Sequence, residues 1–182
     1  MTPLAPAIAA LLATVAITAA IFDYRERRVP NWLTLAGVIA GLAANIYIAQ
    51  TAGLWTSLKG IGIALAIYLP LYLLRGVGGG DLKLMAALGA IAGPMNWIVI
   101  MLLTSLLGGI AALILVTVQG RLRKTLRNVW LILSNLAMGR APYRVDPEID
   151  VKSPTAARLP HGVVIACAVF GFLLASTSRM IR

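Results

Sequence analysis

Apolar runs separated by short polar segments recur along the whole 182-residue chain. Several of these runs approach the length of about 20 residues that a helix needs to cross a bilayer. Their order predicts six spanning helices, with polar or glycine-rich turns between them. The predicted spans cover residues 3–22, 32–49, 58–74, 82–93, 97–118 and 162–177.

The long polar segment after the fifth predicted span contains one more helical pattern. "LRNVWLILSNLAM" places apolar residues at positions 126, 129, 130, 133, 136 and 137, behind a basic start. That spacing is typical of a helix that lies in the membrane interface. The expected fold is therefore all-α, a polytopic transmembrane bundle of six helices plus an interfacial amphipathic helix, forming one integral-membrane domain over residues 1–182.

Composition narrows the classes of function. The chain is 60% hydrophobic and only 12% charged, which is about half the charged share of a soluble domain. The net charge of +10 does not indicate nucleic acid, because the basic residues lie in loops beside apolar runs instead of forming a stripe with aromatics. Cys167 and His161 are the single cysteine and histidine, too few ligands for a structural zinc site. We therefore expect no metal, no cofactor and no nucleic-acid partner.

The distribution of lysine and arginine predicts the orientation in the membrane. With six spans, the loops after the first, third and fifth span share one side and hold all but three of the 16 basic residues. The positive-inside rule makes that side cytoplasmic. These basic loops are expected to contact the anionic headgroups of membrane lipids.

Two carboxylates fall at the cytoplasmic edge of this topology. Asp23 follows the first span and Asp81 precedes the fourth. A helix from Asp81 to Pro94 would be about 21 Å long, shorter than the hydrocarbon core of about 30 Å, so Asp81 is expected below the membrane surface. Glycines 78–80 would then give unusual backbone dihedral angles and close backbone approach. In the simpler alternative, Asp81 is a helix N-cap and Asp23 pairs with a neighbouring arginine.

Carboxylates held close together share a proton, because they cannot both ionise easily. One can then activate a water molecule as general base while the other donates to a substrate carbonyl oxygen. This chemistry hydrolyses a peptide bond without a metal. A small ion- or proton-coupled transporter would use the same pair as a relay, and a noncatalytic assembly factor would need neither residue. The residues by themselves leave these three functions open.

Three segments resemble the motifs of type IV prepilin peptidases. "GVGGGDLKLMAALGA" is similar to their GxGD-x-K-L motif, with matching residues Gly78, Gly80, Asp81, Lys83 and Leu84. "DYRERRVPNWLTL" is similar to their first motif, with matching residues Asp23, Val29, Pro30, Asn31 and Leu33. "RLPHGVVIA" resembles the Pro-x-Gly stretch that opens their last helix, at Pro160 and Gly162.

The resemblance implies an aspartic endopeptidase of the bacterial cytoplasmic membrane. Such an enzyme removes the basic leader from prepilins or pseudopilins at the cytoplasmic face, and Asp23 and Asp81 would be its catalytic pair. Residues expected to bind substrate or to shape the site are Gly78, Gly79, Gly80, Lys83, Pro30 and Asn31. Lys83 would either tune the pair or snorkel to the interface, and Asn31 is expected to cap the second predicted helix.

The chain departs from the long form of this family in two places. We expect that the first span opens the chain and that the cysteine-rich region that accompanies methylation is absent. We therefore expect cleavage without methylation, as in the short enzymes of tight-adherence (Flp-type) pilus systems. His161 stands where an aromatic residue is more usual, and it is either a polar residue of the membrane interface or a contact of the substrate or the aspartate pair.

Overall fold

The structure is a computed structural model that describes residues 4–138 and 160–180. These residues form five helices: α1 (Pro6–Glu26), α2 (Asn31–Leu73), α3 (Gly79–Val118), α4 (Leu122–Ala137) and α5 (His161–Met180). The prediction of an all-α fold is confirmed. The count of six spanning helices is not confirmed, because the predicted second and third spans both lie in α2, and the fourth and fifth both lie in α3.

Helix α2 changes direction near its middle. Ala49 and Gln50 leave the helical region, and Gln50 takes a left-handed φ of 49°. Across this break the side-chain amide of Asn45 donates to the Ser57 hydroxyl at 3.1 Å, although residues 12 positions apart in a straight helix lie about 18 Å apart. The chain therefore folds back, and α2 consists of two neighbouring arms, residues 31–48 and 51–73.

Helix α3 folds back in the same way. Gly93 takes φ 73° and ψ 173°, and Pro94 after it has no N–H to continue the helical hydrogen bonds. The indole nitrogen of Trp97 donates to the Met85 carbonyl oxygen at 2.8 Å, which joins the two sides of the break. The short arm, residues 79–92, and the long arm, residues 94–118, therefore lie side by side, and the turn falls at the predicted boundary between the fourth and fifth spans.

The short arm of α3 lies at the centre of the bundle. All its residues from Leu84 to Ala92 are buried, because α1, α2 and α5 pack around it. A helix enclosed by protein need not span the full hydrocarbon thickness, which accounts for its length. The fully buried side chains around and within this arm include Leu12, Ala16 and Ala19 of α1, Leu84, Leu88 and Ile91 of α3, and Ile165, Val169 and Phe172 of α5.

Small residues let these helices approach each other. A Cβ at Gly41 would lie 2.8 Å from Cγ1 of Ile91, and a Cβ at Gly89 would lie 2.5 Å from the Gly60 carbonyl oxygen. The backbones of α2 and α3 therefore approach closely where glycines face each other or face a side chain.

The outer surface of the bundle is apolar. Helices α1, α2 and α3 are each long and apolar enough to cross a membrane, and α5 has a shorter apolar segment, His161–Thr177. Large hydrophobic side chains such as Leu35, Leu102 and Leu106 are about 60% exposed. Contiguous apolar exposure of this kind marks a surface that faces lipid rather than water, so the chain is a membrane protein.

Helix α4 confirms the helical pattern predicted after the fifth span. It exposes Leu126 and Trp130, and Arg123 and Arg127 are exposed as well. An amphipathic helix with a basic face suits the membrane interface, and its location there remains a prediction.

Candidate functional site

Asp23 lies in the last turn of α1, one turn further inside the helix than the sequence pattern predicts. The helix continues to Glu26, and Arg27 then ends it with a left-handed φ of 51° while its N–H donates to the Asp23 carbonyl oxygen at 2.9 Å. The side chain of Asp23 is partly buried and turns towards α5. There the N–H of Gly162 donates to Oδ2 of Asp23 at 2.7 Å, which ties the first helix to the last.

Asp81 lies in the first turn of α3, but it is not the N-cap that the simpler alternative supposes. Gly78 is the N-cap, with φ −72° and ψ 149°, and Asp81 stands three residues further on. The carboxyl of Asp81 reaches back to the backbone of Gly78 and forms a hydrogen bond with it. This is the half of a capping box in which an acidic side chain at the third helical position satisfies the N-cap amide.

The glycines before Asp81 are more regular than predicted. Gly79 and Gly80 are already helical, and the left-handed residue of this segment is Arg75, with φ 56°. The expected unusual dihedral angles at residues 78–80 are therefore wrong, since helix formation begins at Gly79. A Cβ at Gly79 would lie 3.3 Å from the Tyr72 ring, so this glycine keeps the start of α3 close to the end of α2.

Three ionisable groups from three helices meet at this end of the bundle. Asp81 interacts electrostatically with Asp23 of α1 and with His161, the first residue of α5. The His161 ring also borders α3, since its Cε1 lies 3.6 Å from the position of a Cβ at Gly108. The structure thus brings together the two aspartates that the sequence analysis singled out. It also places His161 beside them, which favours the interpretation of His161 as a contact of the substrate or the aspartate pair.

Tyr68 is a site residue that the sequence analysis missed. It is 5% exposed, stacks edge-to-face on Trp97 with ring centroids 6.1 Å apart, and interacts electrostatically with Asp81. Its position within an apolar run made it look like an ordinary core aromatic. The one available signal was its hydroxyl, which needs a polar partner when it is buried.

Lys83 and Asn31 connect the two predicted motifs. The ammonium Nζ of Lys83 donates to Oδ1 of Asn31 at 2.9 Å, which links the start of α3 to the start of α2. The N-cap of α2 is Pro30, and it makes no side-chain cap hydrogen bond. The expected capping by Asn31 is therefore wrong, because its amide oxygen is used by Lys83.

The chemistry available here is that of carboxylates and an imidazole. Within residues 4–138 and 160–180, no three or more histidine, cysteine, aspartate or glutamate side chains are grouped to hold a metal ion. Carboxyl and imidazole groups can both serve as general acids or bases.

Two comparisons with known proteins agree with this geometry. A family model described as the type IV leader peptidase family matches residues 10–113, a region that contains Asp23 and Asp81 and ends before α5. The prepilin leader peptidase/N-methyltransferase of Legionella pneumophila is 33% identical over 124 residues, which cover 64% of this chain and 43% of that protein. The chain thus matches less than half the length of this relative. No solved structure matches the chain. Since the family match covers more than half of the chain and both aspartate motifs, the chain belongs to the type IV leader peptidase family.

Proposed function

We propose that this protein is a membrane-embedded aspartic endopeptidase that removes the basic leader from Flp-like type IV prepilins. The observation that carries the proposal is the electrostatic interaction between Asp23 and Asp81, which lie about 60 residues apart in the sequence and on different helices. Membership of the type IV leader peptidase family supports the same class of reaction.

In the proposed mechanism the two carboxylates work as one unit that holds one proton. The ionised carboxylate takes a proton from a water molecule, and the resulting hydroxide attacks the scissile carbonyl carbon. The protonated carboxyl donates to the carbonyl oxygen as the tetrahedral intermediate forms. Collapse of the intermediate breaks the C–N bond, and the new amine leaves with a proton from the pair.

The proposal places the site at the cytoplasmic face of the inner membrane. The arms of α2 and α3 would act as separate crossings, which together with α1 and α5 make six, and the basic loops would then face the cytoplasm. Gly79 and Gly80 have no side chains, which lets Tyr72 and Val29 pack close to the start of α3 beside Asp81. Together with these glycines, Gly78, Pro30, Asn31 and Lys83 would shape the site by fixing the starts of α2 and α3.

The proposal is tested by co-expressing the chain with a candidate Flp-type prepilin and following the size of the pilin. The Asp23→Ala and Asp81→Ala variants should each leave the precursor uncut. Glu26→Ala removes an exposed acid from the same turn of α1 and should process the precursor normally. Normal processing by either aspartate variant would contradict a shared pair.

The test also separates the alternative functions. If the folded wild-type protein cuts no pilin-like protein, a carrier or a noncatalytic pilus-assembly factor becomes the better account. Proton flux into liposomes that contain the purified protein distinguishes these two, because only a carrier would acidify the lumen.

A further inference from the structure

We propose that Gly162 is a positioning residue that holds the Asp23 carboxylate in place for reaction with Asp81. It would act through its backbone N–H and through its lack of a side chain. This inference rests on the proposed peptidase function and deepens it. It assigns a role to a residue in α5, outside the segment that the family model matches, residues 10–113.

The contact between Gly162 and Asp23 is short and enclosed. The amide nitrogen lies 2.7 Å from Oδ2, and Gly162 is buried. Hydrogen bonds from an N–H to an ionised oxygen are roughly twice as strong as those between neutral groups. The contact with α5 thus fixes the orientation of the Asp23 carboxylate.

The amide of Gly162 is available because of its place in the helix. The first N–H groups of a helix have no partner within it, and Gly162 is the second residue of α5. The next two amides, of Val163 and Val164, both point to the carbonyl oxygen of Pro160 at 3.2 and 3.5 Å. The positive end of the helix dipole favours a carboxylate at this position.

Only glycine fits at this point. A Cβ on residue 162 would lie 2.8 Å from Cβ and 3.0 Å from Oδ2 of Asp23. The Cβ of Asp23 is fixed to the backbone of α1, so it cannot turn away as the end of a long side chain can. Any larger residue would push α5 and α1 apart and lengthen the hydrogen bond. The preceding residue, His161, interacts electrostatically with Asp81, so the same turn of α5 contacts Asp23 and lies in the electrostatic range of Asp81.

The first test is a kinetic comparison of Gly162→Ala with a matched control on the same helix. Gly171 is exposed, and a Cβ there would contact nothing within 4 Å, so Gly171→Ala should behave as wild type. Gly162→Ala should lower kcat by about tenfold to a hundredfold, because a displacement near 1 Å is enough for such a loss. Here kcat is expressed per folded molecule. The KM of Gly162→Ala should stay close to that of the control, whereas its thermal unfolding midpoint should fall, because the clash with the Asp23 Cβ pushes α1 and α5 apart. An unchanged kcat, or a loss explained entirely by unfolded protein, would overturn the proposal.

The second test detects the contact without any cleavage. The protein is labelled with ¹⁵N-glycine in micelles, and the amide signal of Gly162 is identified by its absence from Gly162→Ala. Asp23→Asn removes the charge of the acceptor and should move that signal, while the Gly171 signal should not move. A Gly162 signal that does not respond to Asp23→Asn overturns the inference, even if the protein cuts prepilins. A signal that does respond, in a protein that cuts none, contradicts the proposed function instead.

Discussion

The helical backbone is interrupted at both ends of the short arm of α3, and different groups surround the two interruptions. At one end, Pro94 removes the N–H that the Ala90 carbonyl would accept, and the Ser57 hydroxyl replaces it at 2.7 Å. The side-chain amide of Asn45 donates to the same carbonyl oxygen and to that of Ile91, both at 3.1 Å. At the other end, Asp81 forms a hydrogen bond with the backbone of Gly78 and also interacts with ionisable groups of other helices.

The difference concerns charge and burial. Asn45 and Ser57 are neutral donors that supply hydrogen bonds to the carbonyl oxygens at the break near Pro94. Neither side chain is an acid or a base that exchanges protons. Asp81 is half-buried and faces groups that gain or lose protons. Neutral hydrogen bonds to an interrupted helix stabilise a membrane bundle. Ionisable groups around an interrupted helix are suited to proton transfer.

The sharpest consequence concerns the aspartates. Asp23→Asn and Asp81→Asn should each lower processing by about 10²- to 10⁴-fold, which is the range of general acid–base catalysis. In the proposed mechanism the carboxylates act as one unit, so the double variant should be hardly worse than either single one. The measurement is the rate of prepilin cleavage by purified protein, with thermal unfolding as a check on folding. Losses that multiply in the double variant would show two independent groups.

The largest expected loss of stability lies at the other end of the arm. Gly93 has a backbone conformation that is essentially restricted to glycine, and a Cβ there would lie 2.6 Å from Cγ2 of Thr56. Gly93→Ala should therefore cost about 1–3 kcal/mol, measured by unfolding in mixed detergent micelles. Gly109 lies on the same helix with open space around it, so Gly109→Ala should cause no loss. Equal stability of the two variants would mean that the turn does not need glycine.

A smaller loss of stability is expected when the neutral donor is removed. Asn45→Ala takes the amide away from the carbonyls of Ala90 and Ile91 and should cost about 1–2 kcal/mol, at the upper end for hydrogen bonds between membrane helices. Processing per folded molecule should stay at the wild-type level. A variant that folds fully but processes slowly would link this interruption to the site and remove the contrast between the two ends.

The smallest effect is expected for Lys83. Its hydrogen bond to Asn31 is exposed, so Lys83→Met should cost about 0.5–1 kcal/mol and should leave most of the processing rate. Asn31→Ala removes the other partner and should have the same effect, with no further loss in the double variant. Loss of processing in Lys83→Met alone would show that the ammonium tunes the aspartates directly.

Much of the fold follows from sequence patterns alone. The apolar runs predict the helical segments, and "GPMN" predicts the turn within α3, because proline and glycine act locally on the backbone. The continuity of α2 through Ser57 was not predicted, since a run of "QTAGLWTS" between apolar segments looks like a loop. The break lies earlier, at Ala49 and Gln50.

The candidate site was predictable in part. Asp23 and Asp81 stood out because carboxylates at the ends of apolar helices are costly. Tyr68 did not stand out, and neither did the partner of Asn31, because a hydroxyl or an amide within a sequence gives no indication of what it faces. His161 was weighed with two interpretations, and only its neighbours in space distinguish them.

The sequence by itself determined that the chain is a helical membrane protein with two carboxylates at helix ends, since hydropathy and charge placement act locally along the chain. The tertiary structure decided what those carboxylates contact. The hydrogen bond from Gly162 to Asp23 joins residues 139 positions apart, and it exists because α1, α2 and α5 pack around the short arm of α3. Contacts of this kind depend on how helices pack side by side, and no local pattern of residues encodes which helix becomes the neighbour.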